Sequence, residues 1–199
     1  MHAASTLFLD VGTQRDLWPG GVWPLLDEAG GNRVRLLCAL GRTLDIRTGG
    51  ICCAHDIAPA DVPAHCATGT PGAERVDACA PRQPVRRYPL GAQTLPTDRT
   101  HAIYLESGCT FPIATAPVFA HLIAGVRDAV VFGAGIEFGI AHAVEALLAA
   151  RVRTHLALDA TGAASVAAAQ TLIGGWKRRG VDVLTTATVE RLLRRSAGL

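Results

Sequence analysis

Short apolar runs alternate with longer amphipathic stretches along most of the chain. Residues 6–10, Thr-Leu-Phe-Leu-Asp, form an apolar run ending in a carboxylate, the length and flanks of a strand buried on both faces. Residues 30–47 carry Val34, Leu37, Leu40 and Leu44 at helical spacing behind a Gly31-Asn32 start signal, which predicts a helix. Strands are predicted over 48–54, 101–105, 129–133, 154–158 and 181–184, and helices over 136–150, 165–179 and 188–195, the last with Thr188 as its cap. Residues 55–100 break the rhythm: rich in Pro, Gly, Ala and Asp, they predict a loop, and a loop that long in a compact domain is usually functional. Strand alternating with helix predicts a three-layer α/β fold, a parallel sheet covered on both faces. Function then belongs at the carboxyl ends of the strands. Asp10, the Cys53-Ala54-His55 stretch and the Gly133-Ala134-Gly135 turn fall there.

Composition narrows the classes. A chain of 199 residues suits one domain over 1–199. With 49% hydrophobic and 18% charged residues it can bury enough surface to fold, so intrinsic disorder is excluded. A net charge of +2 gives no electrostatic reason to expect nucleic acid or an anionic membrane as partner. The uncharged stretch 107–126 is interrupted by Pro112, Pro117 and His121, which argues against a spanning helix, and Met1 to Ser5 lack the pattern of a signal peptide. A cytoplasmic, reduced protein is expected. Of its six cysteines, Cys52 and Cys53 are adjacent at the end of an apolar run, which suits buried or ligating thiols better than disulfides. Lys177 is the one lysine.

Three motifs resemble the isochorismatase-like hydrolases, nearest their nicotinamidase branch. Phe8-Leu9-Asp10-Val11-Gly12-Thr13-Gln14-Arg15-Asp16-Leu17 is similar to that group's opening strand, catalytic Asp and Gln-x-Asp-Phe. His65-Cys66-Ala67-Thr68-Gly69-Thr70-Pro71-Gly72-Ala73-Glu74 resembles its His-Cys-x-x-Gly-Thr-Pro-Gly-Ala-Glu segment, the most specific of the matches. Val130-Val131-Phe132-Gly133-Ala134-Gly135-Ile136-Glu137-Phe138-Gly139-Ile140 is similar to the strand-turn-helix that carries the nucleophile. The resemblance implies a six-stranded, mostly parallel sheet flanked by helices, assembled as a homo-oligomer (dimer or tetramer).

It also implies a catalytic Cys, Asp and Lys, and here the chain departs. Asp10 is expected to be the surviving Asp, Gly139 stands at the Cys position, and Glu106 lies where the Lys is due. With no Cys at the nucleophile's position, no thiol-based amidase activity and no specially reactive cysteine are expected. The resemblance further implies a non-proline cis bond at Ala134-Gly135, whose amides would face a substrate oxyanion. It implies as well a metal site in which Cys53, in place of an Asp, joins His55 and His65, a set suited to zinc. No organic cofactor is expected.

Two functions are consistent with these residues. One is a pseudoenzyme, a degenerate or repurposed member that binds a small molecule or a partner at the former active site. The alternative is a hydrolase of a small metabolite using Asp10 and Glu106, with or without the metal; two carboxyls brought close would hold one proton more tightly. A third reading makes Cys109 a displaced nucleophile.

Overall fold

A computed structural model of the chain describes residues 1–56, 62–93, 101–108 and 113–198. Seven strands form one sheet in the order β3-β4-β2-β1-β5-β6-β7, and every pairing is parallel. In chain order the elements are β1 (Thr6–Val11), α1 (Glu28–Thr43), β2 (Arg47–Cys53), β3 (Val85–Pro89), β4 (Ala102–Ser107), α2 (Pro117–Ile123), β5 (Asp128–Ala134), α3 (Ala141–Ala149), β6 (Arg153–Gly162), α4 (Val166–Arg178), β7 (Asp182–Leu184) and α5 (Thr186–Ala197).

The sheet carries an apolar layer on each face. Phe8 and Phe132 pack with Val34 and Leu37 of α1 and Val189 and Leu193 of α5. Leu9 and Val131 pack with Leu122 of α2, Val144 and Leu147 of α3 and Trp176 of α4. Alternation along β1 therefore sends Phe8 and Asp10 toward α1, and Leu9 and Val11 the other way.

Four sequence expectations are corrected. The sheet has seven strands, because β3 lies within the stretch expected to be loop. That strand is a mostly exposed edge carrying Arg86, Arg87 and Pro89, so burial never imposed an apolar pattern on it. Helix α1 stops at Thr43 rather than Arg47, since Asp45 turns left-handed (φ 50°) and the Ile46 N–H folds back to the Gly41 carbonyl at 2.9 Å. Thr185, not Thr188, caps α5: its side chain accepts from the Thr188 N–H. The helix expected over 136–150 begins as a wide turn, Ile136–Ile140, kinked at Phe138 (φ −117°, ψ −108°) before α3. Wide turns of this kind recur at functional sites. Among the described residues no helix is long and apolar enough to cross a membrane.

Candidate functional site: a thiol-imidazole cluster in a closed-in cavity

At the carboxyl ends of β1, β2, β4 and β5 lies a cavity of about 240 Å³. Val11, Leu17, Trp23, Leu25, Ile51 and Phe138 supply its apolar walls. Its polar side chains are those of Cys53, His55, His65, Ser107 and His142, and among the described residues its lining holds no Asp, Glu, Lys or Arg. Among the described residues, thiol, imidazole and hydroxyl groups are what the lining offers a ligand.

Cys53, His55 and His65 converge: their ligand atoms all lie within 4.8 Å of one another. The neighbouring Cys66 thiol and the His55 and His65 rings hold the Cys53 thiol well below the ordinary thiol range, although burial opposes the shift. Burial opposes the charge of His65 as well, but the bond to Cys53 and the Pro63 carbonyl outweigh it and raise the imidazole's pKa. His65 Nδ1 donates to the Pro63 carbonyl at 2.7 Å, which fixes the tautomer and leaves Nε2 as the nitrogen able to ligate. Trp23 lies against this ring, centroid to centroid 4.7 Å, and the His55 and His65 rings meet edge-on at 4.8 Å.

The two distinctive sequence segments explain why these groups meet. Fully buried Gln14 receives the Cys53 N–H on Oε1 at 2.7 Å and donates through Nε2 to the Cys53 carbonyl (2.7 Å) and the Ala73 carbonyl (2.9 Å). Asp16 accepts the Cys66 N–H at 2.7 Å. His55 pairs as a lone bridge with Ala67, its N–H going to the Cys66 carbonyl at 3.2 Å. A Cβ on Gly72 would sit 2.1 Å from the Asp16 carboxylate, so a side chain there would displace the group that holds the Cys66 N–H. The Gln-x-Asp turn and the His65 to Glu74 segment are thus the frame of the cluster.

The remaining site expectations fare differently. Asp10 does not line the cavity; Val11 and Gly12, the next residues, do. It is buried on the α1 side, where it pairs with the guanidinium of Arg75 and accepts from Thr13 Oγ1 (2.9 Å) and Tyr104 OH (3.1 Å). Arg75 stacks over the Tyr104 ring at 4.1 Å. Burial opposes the Arg75 charge, but Asp10 and the neighbouring Tyr104, Cys52 and Cys38 groups together raise the guanidinium's pKa; burial, then Asp10, raises that of Tyr104. Tyr104 is the residue of β4 in register with Asp10 across Gly50, where a Cβ would come within 2.2 Å of the Tyr104 ring. Glu106, two residues on, pairs instead with Arg87 of β3 at 3.7 Å. The expected Asp10–Glu106 pair is therefore corrected: each carboxylate has its own arginine.

Gly139 does line the cavity, and a Cβ there would lie 2.8 Å from Val11 Cγ1. The expected cis bond at Ala134-Gly135 is also corrected, since no cis peptide occurs among the described residues. Gly135 uses its freedom for a left-handed turn (φ 82°). Its N–H is taken by the Gly162 carbonyl at 3.0 Å, while its own carbonyl receives the Phe138 and Ile140 N–H groups. That amide is not available to an oxyanion. Cys109 lies outside the described residues. Cys66, Arg75, Tyr104 and His142 were not singled out from sequence. For Cys66 the signal was present, in the His-Cys pair of the most specific segment.

The seven-stranded parallel sheet covered by helices on both faces is an isochorismatase-like α/β fold. No family model and no curated protein sequence matches the chain. Solved structures do. The pyrazinamidase of Pyrococcus horikoshii in complex with zinc matches with a TM-score of 0.68 at 18% identity, over 91% of this chain and 99% of that one. The L. infantum protein PnC1 in complex with nicotinate gives 0.70 at 18% identity, over 93% and 94%. An isochorismatase family protein of Desulfovibrio vulgaris gives 0.69 at 18%, over 94% and 97%.

Proposed function

We propose that this protein is a zinc-binding, small-molecule-binding member of the isochorismatase-like fold that lacks thiol-based amidase activity. The observation that carries the reading is the composition of the cavity. Glycine stands at Gly139, no carboxylate or lysine lines the walls among the described residues, and the one reactive constellation there is Cys53, His55 and His65.

The donor set fits zinc on this structure's own terms. One sulfur and two imidazoles that converge, one imidazole with its tautomer fixed by a backbone carbonyl, make a thiolate-imidazole set of the kind zinc prefers. The match to a pyrazinamidase in complex with zinc supports it. Zinc held by three protein ligands keeps a coordination position open and acts as a Lewis acid. The chain's own residues do the rest: Trp23, Leu25 and Phe138 exclude water, and Ser107 and His142 offer hydrogen bonds to a ligand's polar end. A lining whose described residues carry no carboxylate, lysine or arginine favours a compact, mostly apolar ligand with a single Lewis-basic head, and pyridine carboxylates are the natural probes given the nicotinate complex of PnC1. Because Asp10 and Glu106 are engaged elsewhere, an acid pair formed by them has no place in this reading.

The test is zinc content by plasma mass spectrometry, joined to calorimetric titration with nicotinate and to ammonia release from nicotinamide. One zinc per chain, lost in His65→Ala, with nicotinate heat that depends on zinc and no ammonia above background, is the expected result. Failure to bind zinc at stoichiometry, or steady ammonia release, overturns it.

A further inference from the structure

The rings of the site run outward in a series. His55 and His65, each 5% exposed, meet edge-on at 4.8 Å, and half-buried Trp23 lies on His65 at 4.7 Å. Phe138 lies on Trp23 at 5.5 Å and is 40% exposed. Among the described residues it is the exposed large apolar side chain that also lines the cavity, so its ring stands where the cavity meets solvent. The other exposed residues of the lining are Gly108 and His142. The backbone beneath the ring is pinned. The Phe138 N–H goes to the Gly135 carbonyl at 3.0 Å, and the Glu137 carboxylate accepts the Ser165 and Ala164 N–H groups at 2.6 and 3.2 Å. The ring packs down on the turn glycine: a Cβ on Gly135 would come 3.3 Å from Phe138 Cδ2. The kink at Phe138 carries its side chain off the helical course and against Trp23. Trp23 is fixed in turn, its N–H donating to the Asp16 carbonyl at 2.9 Å.

We infer that Phe138, closed against Trp23, is a size-selecting door that determines which ligands reach the Cys53-His55-His65 cluster. A tilted contact with centroids 5.5 Å apart lies in the range where aromatic pairs attract, so the closed position is a favourable one. With the backbone pinned on either side, the ring opens by turning about its own side-chain bonds, a fast motion for an exposed side chain. A narrow group passes with a brief opening. A fused-ring group has to keep the door open while it stays, and so gives up the Phe138–Trp23 contact throughout its binding. The cavity behind is about 240 Å³, below the range usual for drug-sized ligands. The door thus selects at entry what the volume selects in the bound state. As a filter on ligands it rests on the proposed small-molecule reading; as a limit on access to Cys53 it does not.

The experiment labels metal-free protein with two reagents of the same chemistry and different width, iodoacetamide and its pyrenyl derivative, and follows the Cys53 peptide by mass spectrometry. In the unsubstituted protein iodoacetamide should reach Cys53 and the pyrenyl reagent should not. In Phe138→Ala the pyrenyl rate should rise by on the order of tenfold or more, while the iodoacetamide rate stays within about twofold. Phe138→Tyr, which keeps a ring on Trp23, should retain the exclusion. Pyrenyl labelling of the unsubstituted protein as fast as iodoacetamide labelling overturns the inference. So does an equal rise for both reagents in Phe138→Ala, which marks general loosening, or a Phe138→Tyr protein as open as Phe138→Ala. Stopped-flow binding of nicotinate to the zinc-loaded protein adds the ligand arm: Phe138→Ala should speed association and dissociation together. If nicotinate does not bind the unsubstituted protein, the small-molecule reading fails by itself, and the labelling still decides the door.

Discussion

Removing the carboxylate of Asp10 should unfold this protein sooner rather than silence its site. Asp10 is 1% exposed and Arg75 9%, so their ion pair is formed almost wholly out of water. Without the carboxylate, Arg75 remains a buried cation, its Nε already without a partner, and Thr13 and Tyr104 lose the acceptor of their hydroxyls. Breaking a buried pair from one side costs about 3–5 kcal/mol. For a chain of this length that lowers Tm by roughly 6–20 °C. Asp10→Ala and Asp10→Asn would be measured by urea unfolding, followed through the fluorescence of Trp18, Trp23 and Trp176, and zinc content would be taken on the folded fraction. Zinc per folded chain should stay unchanged, because Asp10 does not line the cavity. The cycle Asp10→Asn, Arg75→Met and both together supplies the decisive comparison. The double variant should be milder than the sum of the singles by about 1–3 kcal/mol, since no unpaired charge is left behind. Strict additivity, or an Asp10→Ala protein as stable as its parent that has lost zinc, would refute the assignment of Asp10 to the scaffold.

Other consequences are quicker to test. Gln14→Ala strips the Cys53 N–H and carbonyl and the Ala73 carbonyl of their buried partner, so zinc affinity should fall about 10–100-fold with all three ligands intact, read by competition with a fluorescent chelator. Burial, reinforced by Asp10, pushes the Cys52 thiol up to about 12, so Cys52 stays protonated and inert to iodoacetamide at about pH 8, whereas Cys53 of metal-free protein alkylates. Bound zinc should protect Cys53 from the same reagent, and equal labelling with and without zinc would count against its role as a ligand. Gly139→Cys should yield no nicotinamide hydrolysis, because a thiol placed beside Val11 finds no carboxylate among the described residues of the lining; ammonia release would show otherwise.

The sequence rhythm revealed most of the sheet because its central strands are buried on both faces, and burial writes itself as unbroken apolar runs. β1 and β5, buried along their whole length, were legible for that reason. β3 was not, since an exposed edge strand of Val-Arg-Arg-Tyr-Pro has no burial to record. The thiol and imidazoles of the cluster could be named from the resemblance, but their frame could not: Gln14 and Cys53 lie 39 positions apart, and no local pattern announces their bond. Asp10 misled for a related reason. Whether a carboxylate at the end of a strand faces a cavity or a buried arginine depends on register and pleat, and Arg75 comes from a segment 65 positions away.

That distinction gives the resemblance a physical meaning. The segments most like the nicotinamidases, Gln14-x-Asp16 and His65 to Glu74, are those whose side chains and glycine hold Cys53, His55 and Cys66 in place. The positions that would perform thiol chemistry, Gly139 and the residue expected to be lysine, are those that differ. Buried hydrogen bonds explain such a split. Each bond of Gln14 and Asp16 ends on a backbone group of another segment, so losing one strands a polar group at about 1–3 kcal/mol. Gly139 carries no comparable penalty, because removing a thiol from a cavity wall breaks no bond within the scaffold. On the proposed reading, a fold can forgo a nucleophile at little structural cost while Gln14 and Asp16 stay tied into the backbone around Cys53, His55 and His65.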